Sequence, residues 1–186
     1  MNLTPLAIEG AWLVESPVWS DERGFFREWF KLGDVKDATG RDFGIEQANI
    51  SLSSVGTLRG IHYSTAPRGQ AKLITCVSGS MQDVIVDIRT ASKTFGQGID
   101  IELKGNSGQV VFISEGLGHG FLALEDNTAV AYLLSTPFSP TDEFEINPHD
   151  EKIGIKWKME LDSLKISNKD RLAPTLVGRL TEGKLP

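Results

Sequence analysis

Thr57-Leu58-Arg59-Gly60-Ile61-His62-Tyr63 places an imidazole close to a fixed cation in a segment whose composition predicts a β-strand. Successive side chains of a strand point to opposite faces, so Arg59 and His62 begin on opposite faces. Gly60 lies between them and can bend or bulge the strand, which would re-aim one of the two side chains. A second cation, Lys72, follows shortly after the stretch. The rest of the chain decides whether this is a site or an ordinary core strand.

The overall composition is that of a globular protein, with 40% hydrophobic and 24% charged residues among 186. This length predicts one domain spanning residues 1–186, with a polar C-terminal tail after about residue 174 that we expect to pack loosely or against a partner. The net charge of −6 argues against a general nucleic-acid binder. No apolar run approaches the ~20 residues of a membrane helix, and residues 1–10 carry no secretory signal, so a cytoplasmic protein without membrane association is expected.

The single cysteine, Cys76, excludes an intrachain disulfide. It lies in the apolar run Leu73-Ile74-Thr75-Cys76-Val77, with no cation or histidine beside it in the sequence. A thiol needs such a neighbour to become a reactive thiolate. We therefore expect a buried, inert side chain.

Short apolar segments rich in Val, Ile and Thr recur between clusters of Gly, Asn, Asp and Ser. This pattern predicts a mainly β fold, either a sandwich, a jelly roll or a barrel. The predicted strands are 11–14, 25–30, 46–52, 72–77, 82–88, 98–103, 109–113, 119–124 and 129–135. A short helix is predicted over 31–40, closed by Gly40, and a helical turn over 164–170.

Four aromatic residues follow the first clear turn, namely Phe25, Phe26, Trp29 and Phe30. Core packing is the expectation for large apolar side chains. The alternative is an exposed apolar patch destined for a subunit interface.

Three histidines occur, at positions 62, 119 and 149, and none belongs to a His-x-His pair. Metal sites built on imidazole are normally more richly supplied, so no catalytic metal is expected. His119 lies in a glycine-rich segment and is a candidate pocket residue, whereas His149 in Asn147-Pro148-His149-Asp150 predicts a surface turn. If a tyrosine acts as an acid, the candidates are Tyr63 and Tyr132. Asp170 taken alone is typical of a helix-cap or turn residue.

Taken together, the motifs carry a resemblance that covers residues 10 to 174. They are Asp21-Glu22-Arg23-Gly24-Phe25-Phe26, Gln47-Ala48-Asn49, Leu58-Arg59-Gly60-Ile61-His62-Tyr63, Asp83-Val84 with Asp87-Ile88-Arg89, Thr94-Phe95-Gly96, Gly118-His119-Gly120-Phe121 and Ser167-Asn168-Lys169-Asp170. In these motifs the chain resembles the dTDP-4-dehydrorhamnose 3,5-epimerase family. The resemblance implies a cupin-type jelly roll, no metal or other cofactor, a nucleotide-linked 4-keto-6-deoxysugar as substrate and a homodimer.

The same resemblance implies roles for individual residues. His62 corresponds to the general base, Asp170 to its orienting carboxylate, Tyr132 to the acid on the opposite face of the sugar, and Lys72 to the cation beside the C4 oxygen. The residues implied in substrate binding, some of them across a dimer, are Arg23, Phe26, Glu28, Gln47, Asn49, Arg59, His119, Phe138, Glu143 and Lys169. Hydrogens on C3 and C5 are both α to the C4 ketone, so removing either gives an enolate that a nearby ammonium stabilises.

Two positions depart from the family pattern. The family's Tyr-Tyr-x-Pro appears here as Pro137-Phe138-Ser139-Pro140, and Ser114 replaces a usual proline. Phe138 can stack on a ring but cannot donate a hydrogen bond, so the exact sugar and the choice of C3, C5 or both stay open. The alternatives are a non-catalytic cupin that binds a sugar nucleotide and a metal-dependent cupin, which the missing His-x-His disfavours.

Overall fold

The computed structural model describes residues 1–66 and 69–186. Its strands are β1 (Asn2–Pro5), β2 (Ala11–Glu15), β3 (Val18–Asp21), β4 (Gly24–Arg27), β5 (Gln47–Ser53), β6 (Thr57–Ser64), β7 (Lys72–Ser78), β8 (Ser80–Asp87), β9 (Gly98–Lys104), β10 (Gln109–Ile113), β11 (Leu117–Ala123), β12 (Thr128–Leu134), β13 (Glu143–Glu145) and β14 (Lys165–Ile166). The helices are α1 (Leu32–Thr39), α2 (Asn168–Arg171) and α3 (Leu176–Thr181), with a 3₁₀ turn at Leu161–Ser163.

Two large sheets and one hairpin make up the architecture. The first sheet has the order β1-β2-β10-β7-β12-β5. The second has the order β13-β6-β11-β8-β9, with β14 pairing in parallel with β6. Strands β3 and β4 form a separate antiparallel hairpin. The predicted strands recur with boundaries shifted by up to two residues, except that the strand predicted over 25–30 ends at Arg27. The helix predicted over 31–40 is α1.

The main core lies between the two sheets and includes Cys76 and Phe121. The outer faces are also partly covered: α1 contributes Val35 to a cluster on the first sheet, and α3 contributes Leu176 to a cluster on the second. Strand β8 is buried along its whole length and includes the buried polar residues Gln82, Asp83 and Asp87. Cys76 is buried as expected, and burial raises the pKa of its thiol to about 11.

The C-terminal tail, expected to pack loosely or against a partner, packs against its own chain instead. It folds back as α3, where the Thr175 side chain accepts a hydrogen bond from the Gly178 N–H as an N-cap. Leu176 is fully buried and Arg179 nearly so. The buried side chains of Leu176 and Arg179 therefore hold the segment in place. The polar composition of the tail does not reveal these two contacts.

The expectation of core packing is wrong for two of the four clustered aromatics. Phe25 and Phe26 are 51% and 65% exposed on the β3–β4 hairpin. Trp29 and Phe30, in contrast, pack against the cluster beneath α1. The hairpin therefore presents an apolar surface to its surroundings.

Strand β6 contains one residue more than its partner β11 at Gly60. His62 lies opposite His119 and Arg59 opposite Phe121, so three steps along β6 match two along β11. Such a bulge reverses the side-chain alternation beyond it, which brings Arg59 and His62 to the same face. The Gly60–Ile61 peptide bond is cis.

Gly60 is required at the bulge by backbone angle and by space. Its φ is +112°, and a Cβ placed there would lie 2.6 Å from the Cα of Gly120. That distance leaves no room for a side chain, and the contact is with backbone that cannot rotate away.

Gly60→Ala is expected to lower the free energy of unfolding by about 2–5 kcal/mol, through the positive φ and the clash with Gly120. Urea denaturation measures the change. Gly33→Ala in α1 is the matched control, because nothing lies within 4 Å of its Cβ position and alanine in a helix is worth up to about 1 kcal/mol over glycine. Equal stability of Gly60→Ala and the wild type would contradict the role given to the bulge.

Candidate active site

A cavity of about 430 Å³ is lined by residues of both large sheets and of α2. Its wall includes the four residues predicted to be catalytic and most of those predicted to bind substrate. The predicted residues found there are Gln47, Asn49, Arg59, His62, Lys72, His119, Tyr132, Phe138, Glu143, Lys169 and Asp170.

His62 is held by a buried carboxylate. Its Nε2 lies 2.6 Å from Oδ1 of Asp170, which is only 4% exposed, and the N–H of Gly60 donates to the other carboxylate oxygen at 3.4 Å. Because Nε2 donates to the carboxylate, the neutral ring carries its lone pair on Nδ1. The structure thus assigns Nδ1 as the nitrogen that can accept a proton.

The residue alone suggested that Asp170 caps a helix, but it does not. The side chain of Ser167 caps α2 instead, accepting from the Asp170 N–H. Burial raises the pKa of Asp170, but hydrogen bonds from His62, Gly60 and Ser167 outweigh burial and bring it below its ordinary value. Asp170 therefore stays ionised beside His62.

Lys72 begins β7 and is 93% buried, with 7% of its surface exposed. Burial lowers the pKa of its ammonium, while the charges of Glu143 and Asp83 act in the opposite direction. In the described part of the chain, no carboxylate oxygen lies within 4 Å of its nitrogen. A buried ammonium without close neutralisation strongly favours any negative charge that develops next to it.

Tyr132 enters the cavity from the wall opposite His62. It lies on β12 of the first sheet, paired with Asn49 on β5, whereas His62 lies on β6 of the second sheet. The other tyrosine, Tyr63, points away from the cavity, is 1% exposed and donates its hydroxyl to the Lys184 carbonyl at 3.1 Å. Of the two tyrosines, only Tyr132 lines the cavity.

A second imidazole–carboxylate pair lies beside the first. His119, directly opposite His62 in the sheet, approaches Oδ1 of the fully buried Asp83 with its Nε2 at 2.6 Å. The sequence placed Asp83 in a motif but did not predict its pairing with His119. A carboxylate in an apolar strand does not by itself indicate which residue it contacts. The further lining residues, to which the sequence assigned no role, are Ser51, Thr57, Leu58, Gln70, Phe121, Val130, Leu134, Phe144, Lys165 and Ser167.

Three predicted binding residues lie outside the cavity, on or just after the β3–β4 hairpin. Arg23 forms an ion pair with Asp21. Glu28 pairs with Lys31 at 2.7 Å, and Phe26 packs against Trp19 on the hairpin. A single chain therefore does not bring them to the other site residues.

Within residues 1–66 and 69–186, no three His, Cys, Asp or Glu side chains converge in a way that could hold a metal ion. None of the helices described is long and apolar enough to cross a bilayer.

The family model described as dTDP-4-dehydrorhamnose 3,5-epimerase matches residues 5–177. The chain belongs to this family. A relative from Mycolicibacterium smegmatis, named dTDP-4-dehydrorhamnose 3,5-epimerase, is 42% identical over all of this chain and 91% of its own length. The chain is therefore an enzyme of an isomerase family.

Solved structures agree with the family and the fold. The rmlC epimerase of Mycobacterium tuberculosis superimposes with a TM-score of 0.95 at 38% identity, covering 100% of this chain and 94% of that one. ChmJ, a 3'-monoepimerase from Streptomyces bikiniensis solved with dTDP-quinovose, gives 0.93 at 41% identity, covering 98% and 91%. The expected cupin-type jelly roll is confirmed.

Tyr63 is expected to ionise only at high pH. Burial raises the pKa of Tyr63 to about 12, so in Tyr132→Phe the phenolate absorbance at 295 nm should rise only near that pH. Because the folded pKa lies above the unfolded value, Tyr63 contributes stability below pH ~10 that is lost as the pH rises towards 12. Ionisation of Tyr63 near pH 10 while circular dichroism still shows folded protein would contradict its burial.

Proposed function

We propose that this enzyme epimerises a nucleotide-linked 4-keto-6-deoxyhexose, with dTDP as the nucleotide, at C3, at C5 or at both, without metal or organic cofactor. The observation that carries the proposal is the placement of His62 and Tyr132 on opposite walls of one cavity that also contains the buried Lys72. Inversion of a carbon needs a base on one face of the sugar and an acid on the other. The 4-keto sugar supplies carbon acids on which such a pair can act.

In the first step, Nδ1 of His62 takes a proton from the carbon next to the ketone. The electron pair of the C–H bond moves to form a C=C bond, and the C4 oxygen becomes an enolate. Asp170 holds the ring through Nε2 and stabilises the imidazolium that forms. Proton transfer of this kind contributes about 10²–10⁴-fold to the rate.

Lys72 stabilises the enolate oxygen. Its ammonium is already desolvated and has no close carboxylate among the described residues, so little reorganisation is needed when charge appears on the oxygen. Removing one such preorganised donor typically costs about 10²–10³-fold in turnover. Lys72 is therefore expected to matter as much as the base.

In the second step, the Tyr132 hydroxyl donates a proton to the opposite face of the same carbon, and the C=C electrons form the new C–H bond. The ketone is restored with inverted configuration. Protons exchanged with water return Tyr132 and His62 to their starting states, so no net proton is consumed.

The remaining lining residues suit the nucleotide part of the substrate. Arg59 is exposed at the cavity, a position from which a guanidinium can contact the diphosphate. Phe138 is 59% exposed, and its N–H donates to Oε1 of Gln47 at 2.7 Å, which places an aromatic ring for stacking. Similar relatives include a 3,5-epimerase and a 3'-monoepimerase, so both outcomes are chemically open.

Incubation with dTDP-4-keto-6-deoxyglucose in D₂O should place deuterium at C3, at C5 or at both, read by NMR. His62→Asn should reduce exchange at least about 10²-fold, since the base is lost. Tyr132→Phe should retain exchange on the His62 side while impairing inversion.

The control for these variants is His149→Asn, because His149 lies outside the cavity. Its exchange should equal that of the wild type. Tight binding of the nucleotide sugar by the wild type without any exchange would instead support the non-catalytic cupin, and exchange that survives in His62→Asn would remove that residue from its role.

The working unit is proposed to be a homodimer. Strand β5 is an edge strand whose inner face lines the cavity, while Ile50 and Leu52 on its outer face are 77% and 64% exposed. With Phe25 and Phe26 of the hairpin they expose large apolar side chains that a partner would cover. In such a dimer the partner's hairpin supplies the three binding residues that a single chain leaves outside the cavity.

The activity is proposed to be cytoplasmic, in keeping with the single buried thiol.

The double variant Ile50→Asp with Leu52→Asp is expected to run as a single chain in light scattering, while the wild type has twice the 20.4 kDa chain mass. Buried carboxylates at the contact would cost more than the contact provides. Leu172→Asp is the control, because Leu172 is 80% exposed and follows α2 rather than lying on β5 or the hairpin. A wild type that is monomeric, or a double variant that remains dimeric, would contradict this interface.

A further inference from the structure

Lys169 is a cation at the cavity wall that lies on a very short helix. It lies on the four-residue helix α2, next to Asp170, and its side chain is 60% exposed. A long exposed side chain loses considerable rotamer entropy when a ligand fixes it. Its position at the cavity therefore depends on what holds the ammonium.

Glu145 holds that ammonium. Its Oε2 lies 3.0 Å from Nζ of Lys169, and the carboxylate is only 14% exposed. Glu145 ends β13 and is paired with His62 in the sheet. The carboxylate is thus fixed relative to the proposed base.

Arg179 of α3 in turn fixes Glu145. Its Nη2 lies 3.1 Å from Oε1 of Glu145, its Nε donates to the Glu145 carbonyl at 2.8 Å, and its guanidinium lies 5.3 Å from the centre of the Phe144 ring. Its remaining Nη1 donates to Glu182 at 2.9 Å. Arg179 is buried and uses its donors in one geometry, which a lysine cannot reproduce.

We propose that Glu145 and Arg179 are positioning residues that hold Lys169 at the cavity wall, so that the C-terminal helix sets the affinity for the nucleotide sugar. The proposal rests on the proposed function for the identity of the ligand. Arg179 lies on α3 in the chain's C-terminal segment, so the link joins this segment to the cavity. Neither residue lines the cavity, and both act through Lys169.

The test is calorimetric binding of dTDP-6-deoxyglucose, which lacks the C4 ketone and cannot turn over. Glu145→Gln should weaken binding by roughly three- to tenfold, as for a partly solvated charge contact. Lys169→Met should weaken binding by at least as much. Combining the two should give no further loss, because both break the same link.

Arg179→Lys should weaken binding in the same direction as Glu145→Gln and should also fail to add to it. Glu182→Gln is the matched control: it removes the other carboxylate paired with the same guanidinium, at Nη1 rather than Nη2, and affinity should not change. Deuterium exchange at saturating 4-keto sugar should fall less than the affinity in Glu145→Gln, whereas a general loss of structure would lower both.

Two results would overturn the proposal. They are unchanged affinity in Glu145→Gln, and effects of Glu145→Gln and Lys169→Met that multiply in the double variant. A wild type that binds the analogue but exchanges no deuterium would count against the proposed function while leaving the affinity test valid. A wild type that does not bind the analogue would contradict both.

Discussion

The close approach of β6 and β11 at Gly60 and Gly120 is the constraint on which the site depends. There is no room for a Cβ at Gly60, and the extra residue at this point changes the alternation of β6. Without it, Arg59 and His62 would lie on opposite faces of the sheet. With it, both line one cavity, and the Gly60 N–H reaches the carboxylate of Asp170. One backbone irregularity thus aligns Arg59, the proposed base His62 and Asp170.

Burial then determines the chemistry of the side chains. Lys72 is desolvated without a close carboxylate among the described residues, whereas Asp170 is buried but receives enough hydrogen bonds to remain ionised. The two environments suit different tasks. Lys72 is free to stabilise a negative charge on a ligand, whereas the carboxylate of Asp170 is already hydrogen-bonded to His62. Tyr132 completes the arrangement from the facing sheet. A jelly roll provides this geometry naturally, because its two inner faces meet across one cavity.

Most of the strands could be predicted from local sequence, because short Val- and Ile-rich segments bounded by turn residues strongly favour the β conformation. The side-chain alternation of β6 could not be resolved from sequence, because a bulge at Gly60 depends on how closely β11 approaches. The exposure of Phe25 and Phe26 was also missed, since an apolar residue that faces a partner looks like a core residue. The tail after Pro174 was misjudged for the reverse reason: a few buried groups, Leu176 and Arg179, hold a mostly polar helix in place.

The hydrogen bond between Asp170 and His62 determines which ring nitrogen accepts the proton. With three histidines in the chain, ¹⁵N NMR of the imidazole nitrogens can resolve each ring, and His62→Asn assigns the signals of His62. Neutral His62 is expected to carry its proton on Nε2 and to show an unprotonated Nδ1, and Asp170→Asn is expected to disturb this preference. A neutral His62 with its proton on Nδ1 would show that Asp170 does not set the tautomer.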